Sequence, residues 1–174
     1  MIPPTTVLGI DGGLAHLGWC VALVYADGKR PFITGGGVIE TVKNPIGTAA
    51  ADNVRRSMEL ASALERVVRD HCPRRIVGEA MSFPRNASAA AMLSQSWGVV
   101  AAIAERFNLA VDVKSPMALK GSLGGSRTAS KTEVIAAIRE LYPELVGLFP
   151  PRRDLHEPLA DAALAMHAFF GARQ

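Results

Sequence analysis

Acidic side chains lie at three separate places in the sequence from which carboxylates could act together. Asp11 ends the apolar run VLGI, and Glu79 ends the run RIVGE. Asp161 lies in the first turns of a helix predicted to start near Pro158, and Glu157, four residues earlier, shares its face if that helix has already begun. Open α/β sheets place their sites at the carboxyl ends of strands, so Asp11 and Glu79 are expected at one sheet edge.

These carboxylates predict metal-assisted phosphodiester chemistry if the fold gathers them. Three or four carboxylates in one place repel one another strongly, and a shared cation relieves that repulsion. Mg²⁺ takes oxygen ligands and keeps waters or substrate phosphates in its shell. Two such ions about 3.5–4 Å apart activate a water and stabilise the leaving oxygen. The alternative, that each carboxylate is an ordinary solvated surface group, stays open at this point.

A sheet with helices on its faces is predicted to bring these groups together. Gly12 and Gly13 form a turn after Asp11 that leaves room for a ligand or another backbone, and residues 18–25 return as a second strand. Further strands are predicted at 32–42, 75–80 and 110–113, and helices at 48–71, 88–107, 116–119, 131–141 and 158–170. This order predicts a single α/β domain over 1–174, with a mixed five-stranded sheet.

The two long helices differ in their apolar patterns. The first is predicted to pack through residues spaced three or four apart, namely Val54, Met58, Ala61, Leu64 and Val68. The second is apolar on more than one side, which predicts sheet on one side and another subunit on the other. Met92, Leu93 and Trp97 of this helix are assigned to the core and to that interface. Farther along, Ser130 and Glu133 have the spacing of a capping box.

Composition limits the class of protein and its partners. The net charge of +3 and pI of about 9.1 are compatible with nucleic-acid binding, and residues 114–131 carry four basic and no acidic side chains. Cys20 and Cys72 provide no disulfide framework, so a reducing cytoplasm is expected. The longest apolar run, residues 97–104, is too short to span a bilayer, and the start of the sequence does not have the pattern of a secretory signal.

Taken in order, the motifs resemble the RuvC family of Holliday junction resolvases, within the RNase H-like nuclease superfamily. The similar segments are LGIDGGLAHLGWCV at Leu8–Val21, IVGEAMSFPRN at Ile76–Asn86, the helix at Ser88–Ile103 and ADAALA at Ala160–Ala165. Lys120 and Lys131, eleven residues apart around a Gly/Ser loop, look like the paired lysines that the family places near the scissile phosphate. The resemblance covers essentially the whole chain and implies an RNase H-like fold with helices on both faces.

The resemblance also implies a set of metal ligands. Carried over by position, the ligands are Asp11, Glu79 and Asp161. The family places a fourth ligand three residues before the last aspartate, where this chain has Pro158, which cannot ligate. Glu157 is favoured as its replacement on helix geometry, narrowly over His156, and Asp154 is a weaker candidate. A site with three protein carboxylates is the other option, and His156 is equally well explained as a polar loop residue.

The resemblance and the basic stretch 114–131 together assign residues to DNA. These are Phe83, Arg85, Lys114, Lys120, Arg127 and Lys131. Phe83 looks like the family's base-stacking wedge, with a core position as the alternative; the adjacent Arg85 favours exposure. Lys131 is predicted at a helix N-terminus, where backbone donors add to its charge on a phosphate. Lys120 and Arg127 are expected to contact backbone phosphates rather than bases.

The function implied is that of a structure-selective endonuclease that cuts Holliday junctions or other branched DNA. The resemblance implies two Mg²⁺ ions, with Mn²⁺ as a substitute, and a homodimer that makes two symmetric cuts. Lys131 would neutralise charge in the transition state. A junction-binding protein without nuclease activity is the first alternative, motivated by Pro158. A fragment of an actin- or sugar-kinase-type ATPase is the second, although 174 residues are short for that class. The sequence leaves open whether this is a host repair enzyme or a phage-encoded one; the short chain and divergent last motif lean slightly toward phage.

Overall fold

The computed structural model describes residues 2–81, 86–124 and 129–171, which form a mixed five-stranded sheet with helices on both faces. The strands are β1 (Thr5–Asp11), β2 (His16–Val24), β3 (Phe32–Glu40), β4 (Arg75–Glu79) and β5 (Ala110–Lys114). Their spatial order is β3-β2-β1-β4-β5. The first three strands are antiparallel neighbours, whereas β1, β4 and β5 run parallel. This confirms the predicted fold class.

The helices begin and end close to the predicted residues. They are α1 (Ala49–His71), α2 (Ala87–Arg106), α3 (Pro116–Gly121), α4 (Lys131–Leu141) and α5 (His156–Phe170). Ser130 and Glu133 form the predicted capping box at the start of α4. The sequence predicts no helix between residues 141 and 158, but two short 3₁₀ helices, Pro143–Leu148 and Arg153–Leu155, lie there.

The two faces of the sheet pack into separate clusters. Val7 and Val77 belong to the cluster that α3, α4 and α5 cover, whereas Leu8 and Ile76 belong to the cluster beneath α1 and α2. Successive side chains of a strand point to opposite faces. Position 11 therefore shares the face of position 7, and position 79 shares that of position 77. Both strand-end carboxylates lie on the α5 face.

The packing face of α1 differs from the prediction. The buried side chains are Asp52, Arg56, Leu60, Leu64 and Val68, which recur every four residues. Val54 and Met58, predicted as core, are 58% and 67% exposed. The buried stripe is polar at its start because the Arg56 guanidinium donates to the Thr41 hydroxyl at 2.9 Å. The periodicity of apolar residues cannot reveal this contact between the helix and the sheet edge.

Helix α2 is covered on one side only. Ser96, Val100, Ile103 and Ala104 are buried, and much of the remaining surface is exposed although most of it is apolar. By length and composition alone, this helix could cross a membrane. That match is weak, because a helix that packs on a sheet and carries a second apolar side passes the same test.

Candidate active site

The register of the sheet sets the first two carboxylates side by side. Ile10 of β1 lies opposite Gly78 of β4 in a parallel pair, so the following residues, Asp11 and Glu79, occupy adjacent positions. Neighbouring strands are about 4.8 Å apart. The two carboxylates therefore come from adjoining strand ends on one face, as the sequence predicted.

Two glycines allow α5 to lie directly on the sheet. A Cβ atom at Gly9 would overlap the carbonyl oxygen of Ala162, and one at Gly18 would overlap that of Pro158. Glycine is required at both points because the helix backbone occupies the space of a side chain. This close approach brings the first two turns of α5, with Glu157 and Asp161, against β1 and β2.

Trp97 supports the site from the opposite face of the sheet. Its indole would lie 2.8 Å from a Cβ at Gly12 and 2.6 Å from a Cβ at Gly78. These glycines adjoin the two strand-end carboxylates. The sequence places Trp97 in the core and interface, and it does not predict that the indole lies behind the site. The available signal for this position was that each strand-end carboxylate has a neighbouring glycine.

The carboxylates influence one another electrostatically. Burial raises the pKa of Asp11 well above its usual value, and the charges of Asp161, Glu79 and Glu157 raise it further. Burial, followed by the charges of Glu157 and Glu79, raises the pKa of Asp161 to about 7. The pKa of Glu79 is also raised, chiefly by burial. Each shift favours a proton or another cation at this point of the structure.

The donor set fits a hard divalent cation. Within residues 2–81, 86–124 and 129–171, no group of three or more His, Cys, Asp or Glu side chains is arranged to hold one metal ion together. Mg²⁺ does not require one, since it binds through one or two carboxylates and keeps several waters or substrate oxygens. Partly buried carboxylates that repel one another are stabilised more by such a cation than by water alone.

Two lysines lie near the carboxylates, and the charges of both lower the pKa of Asp161. The Lys131 ammonium lies 2.5 Å from a Glu157 oxygen, and this contact raises the pKa of Lys131. Lys120 donates to the carbonyl oxygen of Ala129 at 2.8 Å, and its charge opposes the rise in pKa of Glu79. Both predicted lysines therefore lie beside the acidic cluster, and Lys131 is paired with the residue favoured as fourth ligand.

The other two candidates for the fourth ligand make different contacts. His156 has its Nδ1 3.3 Å from the Arg139 guanidinium and its Nε2 2.8 Å from the Pro150 carbonyl, so neither ring nitrogen is left for a metal. Asp154 forms an ion pair with Arg152 at 2.5 Å, which lowers its pKa. His156 and Asp154 are thus engaged by other side chains or carbonyls, as Glu157 is by Lys131, and their assignment as metal ligands stays a prediction.

The residues assigned to DNA divide into three groups. Lys120 and Lys131 lie at the site. The Lys114 ammonium donates to the Ala168 carbonyl at 2.6 Å and lies 4.4 Å from the centre of the Phe169 ring. Lys114 therefore contacts the end of α5 in this structure, and its assignment to DNA stays a prediction. Phe83, Arg85 and Arg127 lie outside the described residues.

The mixed five-stranded sheet with helices on both faces is the fold of the RNase H-like resolvases. The sequence matches the profile of the family described as "Crossover junction endodeoxyribonuclease RuvC" over residues 7–148. This chain belongs to the RuvC family.

Individual relatives agree with that assignment. The chain is 32% identical to RuvC of Sorangium cellulosum over 162 residues, covering 93% of this chain and 84% of that protein. It is 33% identical to RuvC of Prochlorococcus marinus strain MIT 9313, covering 94% and 97%. The solved complex of Thermus thermophilus RuvC with Holliday junction substrate is 26% identical, with a TM-score of 0.73 over 97% and 98% of the two chains. The yeast mitochondrial resolvase Ydc2, at 17% identity and a TM-score of 0.68, shares the fold.

Proposed function

We propose that this protein is a structure-selective endodeoxyribonuclease that cleaves Holliday junctions. The observation that carries the proposal is the gathering of Asp11, Glu79, Glu157 and Asp161 on one sheet face, in a chain of the RuvC family. The complex of the Thermus relative with Holliday junction substrate supports branched DNA as the substrate. Free Cys20 and Cys72 agree with action in the reducing cytoplasm.

The proposed cofactor is Mg²⁺, two ions per site, with Mn²⁺ as a substitute. The ligands would be Asp11, Glu79 and Asp161, with Glu157 as the fourth once Lys131 moves away from it. When bound, the ions lower the pKa of the attacking water and stabilise charge on the attacking and leaving oxygens. The acidic donor set, with its raised pKa values, supports this assignment.

The protein's own residues orient the scissile phosphate and balance its charge. Lys131 lies at the first turn of α4, where the helix N-terminus adds favourable potential for a phosphate. Released from Glu157, its ammonium would neutralise charge that develops on the phosphoryl oxygens. Lys120, held on the Ala129 carbonyl, would contribute a second positive charge on the Glu79 side. Phe83, Arg85 and Arg127 remain proposed DNA contacts.

A labelled four-way junction titrated with MgCl₂ tests this function. Wild-type protein is expected to introduce symmetric nicks that EDTA abolishes, and Asp11→Asn is expected to bind the junction without cutting it. The matched control is Asp112→Asn, because Asp112 is an exposed carboxylate paired with Arg75 at 2.6 Å, away from the cluster. Binding without nicks at every Mg²⁺ or Mn²⁺ concentration would instead establish the junction-binding alternative. Nucleotide hydrolysis by the purified protein would support the ATPase alternative.

Two copies of the chain are proposed to pair through α1 and α2. An apolar groove of about 480 Å³ lies between these helices, lined in part by Val54, Met58, Val99 and Ala102. Pairing would cover the exposed apolar sides of both helices and supply two active sites for two cuts. Light scattering is expected to show a dimer, and Met58→Glu is expected to produce monomers. Met117→Glu is the control, because Met117 is 59% exposed but lies on α3. A wild-type monomer would contradict the pairing.

A further inference from the structure

The last turn of α5 makes polar contacts that the acidic cluster does not use. The Nδ1 atom of His167 lies 3.0 Å from the Tyr142 hydroxyl, and its Nε2 lies 3.2 Å from the Ser122 carbonyl oxygen. A carbonyl oxygen only accepts, so Nε2 is assigned the proton and Nδ1 accepts from the tyrosine. Both ring nitrogens are therefore satisfied, and the tautomer is fixed by its two partners.

One partner of His167 lies in the core, whereas the imidazole itself is half-buried. Tyr142 is fully buried in the cluster beneath α5. A Cβ at Gly171 would lie 2.5 Å from Nδ1 of His167, so the chain beyond α5 closes over the imidazole. The Tyr142 hydroxyl and the backbone at Gly171 both lie against the imidazole, and they orient its hydrogen bond to Ser122.

The Ser122 carbonyl belongs to the end of the short helix that carries a site lysine. Ser122 is the C-cap of α3, and Lys120 lies two residues before it. The Lys120 ammonium then donates to Ala129, just before α4. One hydrogen bond from α5 thus fixes the end of α3 from which the Lys120 side chain extends.

The start of the same segment is also tied to α5. Lys114, at the end of β5, donates to the carbonyl of Ala168, the residue after His167. The segment from β5 to the end of α3 is therefore held at both ends by the last turn of α5. The first two turns of this helix carry Glu157 and Asp161.

We propose that His167 is a positioning residue, which sets the Lys120 ammonium at a fixed distance from the carboxylates through the Ser122 carbonyl. The role given to Lys120 in cleavage rests on the proposed function. His167 itself touches neither substrate nor metal ligand; it acts by making α5 a common frame for the acidic cluster and for the lysine.

Two amide substitutions separate this role from general packing. In His167→Gln the side-chain amide reaches the place of Nε2 and can still donate to Ser122. In His167→Asn it reaches only the place of Nδ1, so the Ser122 carbonyl loses its donor. Single-turnover cleavage of a four-way junction is expected to fall about fivefold in the Asn variant, the rate equivalent of about one hydrogen bond. The Gln variant is expected to stay within about twofold of wild type by the same reasoning.

Two further readouts make the test decisive. Junction affinity should be equal in both variants, because His167 is expected to affect the cleavage step and not the binding of the junction. Amide hydrogen exchange at 122–124 should accelerate in His167→Asn but not in His167→Gln. Equal loss of cleavage in both variants, or unchanged exchange in the Asn variant, overturns the proposal. If wild-type protein does not cut junctions, the proposed function fails, and hydrogen exchange alone still decides whether His167 holds α3.

Discussion

The two faces of the sheet each lack a different kind of partner. On the α5 face, carboxylates are gathered where burial and repulsion raise the pKa values of Asp11 and Asp161. On the α1–α2 face, apolar side chains such as Val54 and Met58 are left in water. Uncompensated negative charge favours the binding of a cation, and exposed apolar surface favours contact with another apolar surface. The α5 face therefore supports the proposed cleavage, and the α1–α2 face supports the proposed dimer.

The largest expected effect is on the acidic face. Asp161→Asn should reduce cleavage on the order of a thousandfold, because it removes a proposed ligand and its charge from the reacting centre. The same change should stabilise the metal-free protein at pH 8 by on the order of 2 kcal/mol, since the buried carboxylate no longer has to ionise. Thermal denaturation in EDTA measures the second effect, and MgCl₂ should raise the Tm of wild type more than that of the variant.

The pH dependence of this stability has a defined sign. Folding raises the pKa of Asp161 from about 4 to about 7, so the protonated form is favoured in the folded state. Metal-free wild type should therefore lose stability as the pH rises from about 4 through about 7, and Asp161→Asn should lose less over the same interval. Parallel stability curves for the two proteins would contradict the electrostatic comparison.

A smaller effect is expected where α5 rests on the sheet. Gly18→Ala places a methyl group against the Pro158 carbonyl, so the start of α5 must shift. We expect a loss of stability of about 1–3 kcal/mol. Cleavage should fall about a hundredfold, because displacement by about 1 Å has that effect on a positioned site. Gly147→Ala is the control, because nothing lies within 4 Å of its added Cβ. Equal cleavage by the two variants would show that α5 need not lie so close.

The smallest expected effect tests whether the faces are independent. Trp97 comes from the α1–α2 face but packs beneath Gly12 and Gly78, so Trp97→Leu should lower cleavage about tenfold while costing about 2–4 kcal/mol of stability. Phe107→Leu, at the C-cap of the same helix, should lose stability with little change in cleavage. If Trp97→Leu cuts as well as Phe107→Leu at a temperature where both are folded, the faces act separately.

Local sequence patterns predict much of the fold and the strand ends that carry two of the site residues. Apolar runs and turn residues predicted the strands ending at Asp11 and Glu79, and the Ser130 capping box predicted the start of α4. These are local features, since strand periodicity, glycine turns and helix caps depend on neighbours in the chain. The motif order also indicated the family that the comparisons establish.

The partners of the charged side chains follow from tertiary packing and cannot be read from the local sequence. Lys114, expected on DNA, is used by the end of α5; His156 is used by Arg139 and Pro150; and Glu157 is paired with Lys131. The buried face of α1 likewise begins with Arg56, because Thr41 happens to lie beneath it. A charged side chain looks the same in the sequence whether it meets phosphate, carbonyl or carboxylate. That choice depends on residues distant in the chain, which only the packing of α5 and α1 on the sheet brings together.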